Sequence, residues 1–125
     1  MQSLLKPGTV VCANYTDFLG NKTVGIFLVL YDEQLDSSHT YKGNVMALKV
    51  TTSLNMCTNY CVCLKDGRND FLEQDCFALC SKTNILEKDQ IYKILGTLHP
   101  YTLRQVYKVY RRYETEVERQ MEDYI

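Results

Sequence analysis

The side chains in this sequence best suited to chemistry are its thiols. Five of the six cysteines fall between Cys57 and Cys80, spaced as C-x3-C-x-C, then twelve residues, then C-x3-C. Three chemistries compete for such a cluster: a metal site, disulfides, or none. Structural zinc favours C-x2-4-C pairs carried on turns, and the run CVC is not of that form. Disulfides belong to oxidising compartments. The third possibility is that the thiols pack as small hydrophobes, among the most buried residue types. Beyond the thiols, His39 is a side chain that titrates near neutrality, although a lone loop histidine usually does nothing catalytic. The segment NVMALKVTT closes on hydroxyl residues.

The elements that carry these residues follow from period and punctuation. Gly8 to Tyr15, entered through Pro7-Gly8, alternates like a strand. Thr16 to Lys22 is polar, and Gly20-Asn21 suits positive φ, so this is a loop. Thr23 to Tyr31 (TVGIFLVLY) is apolar and β-branched, as a strand buried on both faces should be. Asp32 to Gly43 reads as a polar surface loop, and Asn44 to Thr52 as a third strand. Tyr60 to Leu64 and Asp75 to Ser81 complete the set, on either side of a turn at Asp66-Gly67. In those two strands cysteine alternates with bulky apolar residues: Cys61 and Cys63 share one face, and Cys76, Ala78 and Cys80 share another. That alternation favours reduced, unliganded and mostly buried thiols over zinc.

After the strands the period changes. Glu87 to Leu95 predicts a short helix with acidic residues in its first turn and Gly96 as its terminator. Pro100 then opens a longer helix, from about Tyr101 to Gln120. Its stripe of Leu103, Val106, Tyr107, Tyr110, Tyr113 and Val117 should pack on the sheet. Strands followed by helices imply an α+β, mainly β domain: a small, strongly curved sheet or barrel of about five strands with a C-terminal helix.

Composition narrows the function classes. The chain has 125 residues, a net charge of −1, 46% hydrophobic and 23% charged residues. That suits one domain spanning residues 1–125 with a modest core. It excludes general electrostatic attraction to nucleic acid or membrane, so any polyanion would be held by a local patch. No stretch approaches the about 18 apolar residues of a membrane span. The N-terminal MQSLLKPGTVVCANY lacks an apolar signal core, so the expected location is cytoplasmic, where the thiols stay reduced.

Several short strings, in order along the chain, resemble one family. Pro7-Gly8-Thr9-Val10-Val11 is similar to the "KxGDIV" opening of the MazF/PemK toxins, endoribonucleases of toxin–antitoxin systems. Val24 to Leu30 resembles their "xRPxLVL" strand, and Val50-Thr51-Thr52-Ser53 their "ITS" strand end. Asp75 to Cys80 through Asn84-Ile85-Leu86-Glu87-Lys88 resembles "DSxVLxxQIRTIDKxRL", and Ile94 to Leu98 resembles "IGxL". The resemblance covers roughly residues 6 to 113.

It implies an SH3-like barrel, commonly homodimeric, that cuts single-stranded RNA with no metal or other cofactor and is restrained by an antitoxin protein. The implied chemistry is attack of a ribose 2′-hydroxyl on the adjacent phosphate. This needs proton acceptors and donors, and charge or hydrogen bonds for the phosphorane. Thr52 and Ser53 fall on the family's hydroxyl positions. The arginine of its Arg-Pro pair is replaced by Gly25, and that of "IRT" by Asn84. A neutral residue cannot hold phosphate as guanidinium does. The missing charge is therefore expected from Lys22 as a catalytic cation beside Thr52. Asn21, Ser53 and Arg68 are expected to contact substrate. The competing expectation is a barrel without activity that binds RNA or a protein.

Overall fold

The computed structural model describes residues 4–32, 44–65 and 68–123. His39 and most of the expected 32–43 loop lie outside them, as does the Asp66-Gly67 turn. Six strands run in chain order: β1 Thr9–Thr16, β2 Lys22–Asp32, β3 Asn44–Thr51, β4 Cys61–Cys63, β5 Phe77–Glu87 and β6 Ile91–Thr97. A single helix, α1, spans Pro100–Glu122. The strands form one antiparallel sheet in the order β4-β5-β3-β2-β1-β6. It is open, with β4 and β6 at its edges. The expected mainly β domain is present, with six strands rather than five.

β2 organises the packing because Phe27, Leu28, Val29 and Leu30 are all buried although successive side chains point to opposite faces. One face gathers Val10, Leu28, Leu48, Val50, Ala78, Cys76 and Cys80 under α1, whose Val106 is fully buried there. The other gathers Val11, Ala13, Phe27, Val29, Val45, Ala47 and Leu86, closed at one end by Leu5. Register shifts in β1–β6, β2–β3 and β3–β5 bend the sheet around this second core. The helix stripe packs as its period demands: Tyr107 donates to the Leu30 carbonyl at 3.0 Å, and Tyr113 meets Tyr60 edge-on at 5.2 Å. His99 caps the helix by accepting from the Tyr101 amide, with Pro100 at the first turn.

The expected helix at Glu87–Leu95 is a correction. The acidic start signal is real, but it caps only a single 3-10 turn, Lys88–Gln90, in which the Glu87 amide donates to Gln90 Oε1 at 2.7 Å. Gln90 Nε2 then donates to the Asn14 carbonyl, and the chain continues as β6 along the open edge of β1. Pairing with that edge outweighs a weak helical period in IYKIL. Gly96 is not a helix terminator. A Cβ there would stand 2.6 Å from the Phe71 ring, so glycine lets Phe71 lie on the strand.

The cysteines also differ from expectation. All six are free thiols, but only Cys76 and Cys80 are buried; Cys12, Cys57 and Cys61 are half-buried and Cys63 is exposed. For Cys61 and Cys63 the reason is that β4 is a three-residue edge strand, so alternation there does not bury both faces. No group of three or more His, Cys, Asp or Glu among the described residues is arranged to hold a metal. Burial pushes the Cys76 and Cys80 thiols up to about 11. Burial, with a hydrogen bond to Cys57, pushes Cys61 to about 12.

Two expectations follow for the folded chain. At about pH 8 a thiol reagent should label Cys63 first and reach Cys76 and Cys80 only as the protein unfolds, since only thiolates react. Rapid native labelling of both buried thiols would contradict this packing. Separately, Lys88 Nζ lies 2.7 Å from Asp32 Oδ2, and both side chains are buried. The same oxygen accepts from the Leu5 amide at 2.8 Å. Lys88→Met strips a buried carboxylate of this counter-ion and should cost about 3–5 kcal/mol in urea unfolding. A loss below about 1 kcal/mol would mean the pair is solvated.

Candidate active site

The end of the sheet where β3 stops collects most of the candidate residues. The β1–β2 hairpin is built by Asp17: its Oδ1 accepts from the Leu19 and Asn21 amides, both at 2.9 Å. Gly20 has φ +86°, the left-handed turn its sequence suggests. This holds Asn21 at the loop tip and starts β2 at Lys22, opposite Thr16. Lys22 is exposed and lines an open cleft with Asn14, Tyr15, Val24 and Gln90.

Thr52 is exposed just past the last residue of β3, and the Ser53 amide donates to Thr51 Oγ1 at 3.1 Å. Thr52 lines a second cleft of about 350 Å³ with Ile26, Phe71, Glu73, Gln74 and Lys93. Alternation puts Lys22, Val24 and Ile26 on one face of β2. The Ile26↔Val50 pairing, continued, sets Thr52 level with Val24. Lys22 and Thr52 therefore share a face at one end of the sheet but line separate clefts. The cation in the cleft of Thr52 is Lys93. The sequence offered no pointer to it, because its segment reads as helix.

Arg68 is placed elsewhere. Its guanidinium lies 4.5 Å from the centroid of Tyr101, at the start of α1. The loop is fixed there by buried Asn69, which donates to the Leu64 carbonyl and to Thr102 Oγ1 and accepts from the His99 amide. Arg68 does not line the cleft of Thr52.

The two positions where the sequence lacks an expected arginine lie on the opposite face of the sheet. Gly25 alternates with Phe27, and Phe27 pairs with Lys49. Asn84 pairs with Ala47, two residues from Lys49 on the same face, and donates to the Lys82 carbonyl at 3.2 Å. Lys49 is half-buried, with Nζ 5.2 Å from the Tyr15 centroid and 5.0 Å from that of Phe27. Burial lowers its pKa below the ordinary lysine range. One signal could have found it: a single charge in the otherwise apolar NVMALKV.

No family model matches the sequence, and no curated protein sequence matches it. Solved structures do match in shape. A mycobacterial endoribonuclease in complex with its cognate antitoxin superposes with TM-score 0.63 at 18% identity, over 86% of this chain and 91% of that one. MazF from Deinococcus radiodurans superposes with TM-score 0.69 at 16% identity, over 91% of this chain and 99% of that one. The MazE–MazF complex from the same organism gives 0.68 at 15%, over 91% and 98%. The chain has the fold of the MazF toxins.

Proposed function

We propose that this chain is a toxin of the toxin–antitoxin kind, an endoribonuclease that cuts single-stranded RNA without a metal ion. The observation that carries this reading is the likeness to MazF structures along nearly their whole length. The hydroxyl run Thr51 to Ser53 at the end of β3 supports it, with Lys22 and Lys93 on the same side of the sheet as Thr52. In the proposed reaction the ribose 2′-oxygen forms a bond to phosphorus and the bond from phosphorus to the 5′-oxygen breaks. The 2′ proton leaves to a base, and the departing 5′-oxygen takes up a proton.

Thr52 would hydrogen-bond the scissile phosphate, with Ser53 beside it, and Lys22 would bring positive charge from the hairpin. Asn21 and Arg68 would contact flanking nucleotides, Arg68 from the start of α1. The protein would act in the cytoplasm, as a homodimer, and an antitoxin would restrain it. Among the described residues, no helix is long and apolar enough to cross a membrane. A second reading has one specific observation in its favour: neutral Gly25 and Asn84 suit a barrel that binds RNA or a protein without cutting.

Purified protein incubated with single-stranded RNA in chelator should yield fragments ending in a 2′,3′-cyclic phosphate. Thr52→Ala should slow cleavage by about 10²–10³, the usual cost of a lost oxyanion donor. Lys22→Ala and Arg68→Ala should each weaken RNA binding and flatten its salt dependence, as phosphate contacts do. RNA bound but left intact would favour the second reading, and RNA neither bound nor cut would exclude both RNA readings.

A further inference from the structure

We infer that Lys49 is a second phosphate-binding cation of this protein, on the face of the sheet opposite the Thr52 cleft, where it occupies the space that a side chain at residue 25 would fill and would take a flanking phosphodiester with Thr51 as its hydroxyl partner. The inference rests on the ribonuclease reading for the identity of the anion, an RNA phosphodiester. It rests on geometry alone for the site.

A Cβ built on Gly25 would lie 2.5 Å from Lys49 Nζ and 2.8 Å from Tyr15 Cε1. The ammonium thus stands at the first atom of a side chain at position 25, and neither can be present without moving the other. A cation absent from β2 is in this way supplied across the ladder by β3. Thr51 lies on the same face, since alternation pairs it with Lys49 and the Ile26↔Val50 register sets it opposite Gly25. Thr52 instead lines the cleft with Ile26, whose side chain lies on the face opposite Gly25.

Lys49 is set among aromatic rings rather than beside a carboxylate. It is held against Tyr15 and Phe27, whose rings meet edge-on with centroids 5.3 Å apart. Among the described residues its ammonium donates to the Val50 carbonyl at 3.3 Å, and no carboxylate pairs with it. An ammonium has three donors. Burial without an ion pair penalises the charged form and lowers the pKa, and an incoming phosphate would offset that penalty. Lys88 shows the structural alternative within the same chain, a buried ammonium held 2.7 Å from Asp32. Among the described residues, the titratable side chain against Lys49 is Tyr15 on β1, and β2 faces it with Gly25 and Phe27.

The test reads the lysine itself. Side-chain NMR of the full chain, with the Lys49 signal assigned by its loss in Lys49→Arg, is followed during titration with inorganic phosphate and with a mixed-sequence 2′-O-methyl RNA that cannot be cleaved. The Lys49 signal should shift saturably with both. Thr51→Ala should weaken binding several-fold, and Gly25→Ala, whose methyl displaces the ammonium, should weaken it at least as much. Lys49→Met, which keeps the packing bulk, should weaken RNA binding several-fold and flatten its salt dependence; thermal unfolding checks that it folds, and Gly25→Ala serves if it does not. A Lys49 signal unmoved by either probe would overturn the inference even if the wild type cuts RNA. A wild type that cuts no RNA while its Lys49 signal still responds would sink the ribonuclease reading and leave the anion site standing.

Discussion

Burial of β2 on both faces is the constraint from which the rest of the architecture follows. Phe27 to Leu30 place two large side chains on each side of the sheet with no exposure above 3%. Each such side chain contributes about 1.5–3 kcal/mol only if something covers it. One face is covered by α1, which lies across β5 and β4. The other meets no helix among the described residues, and the sheet covers it by curling through its bulges, with Leu5 and Leu86 closing the end. A flat six-stranded sheet would leave that second face wet.

Polar groups that the curl traps are handled in two ways. Asp32 and Lys88 answer each other and fasten the end of β2 to the turn before β6, while Asn69 satisfies a carbonyl, a hydroxyl and an amide between the 64–76 segment and α1. Such groups fix geometry because each becomes costly if its partner moves. Lys49 belongs to neither arrangement. Its half-buried charge sits beside the rings of Tyr15 and Phe27, and there such a cation can be useful rather than merely tolerated.

The sheet end beyond β3 therefore presents positive charge on both faces: Lys22 and Lys93 on the side of Thr52, and Lys49 on the side of Thr51 and Gly25. With a net charge of −1 the protein has no general affinity for polyanions. On the proposed ribonuclease reading, these few side chains and the hairpin tip would have to guide the RNA. Consecutive hydroxyls at a strand end serve opposite faces, so Thr51 and Thr52 are not interchangeable.

Sequence alone determined what period and punctuation encode. The first three strands, the turn at Gly20, the capped terminal helix and its stripe all depend on contacts within a few residues, and they lie close to where the sequence puts them. What only tertiary structure decided was pairing. IYKIL became β6 because the edge of β1 was free, and CVC became a half-buried edge strand because, among the described residues, only β5 pairs with it. Lys49 could not be linked to Gly25 from sequence, since they lie 24 positions apart and meet only through the β2–β3 register. Register depends on which faces must be buried together, and that is a property of the assembled sheet rather than of any one segment.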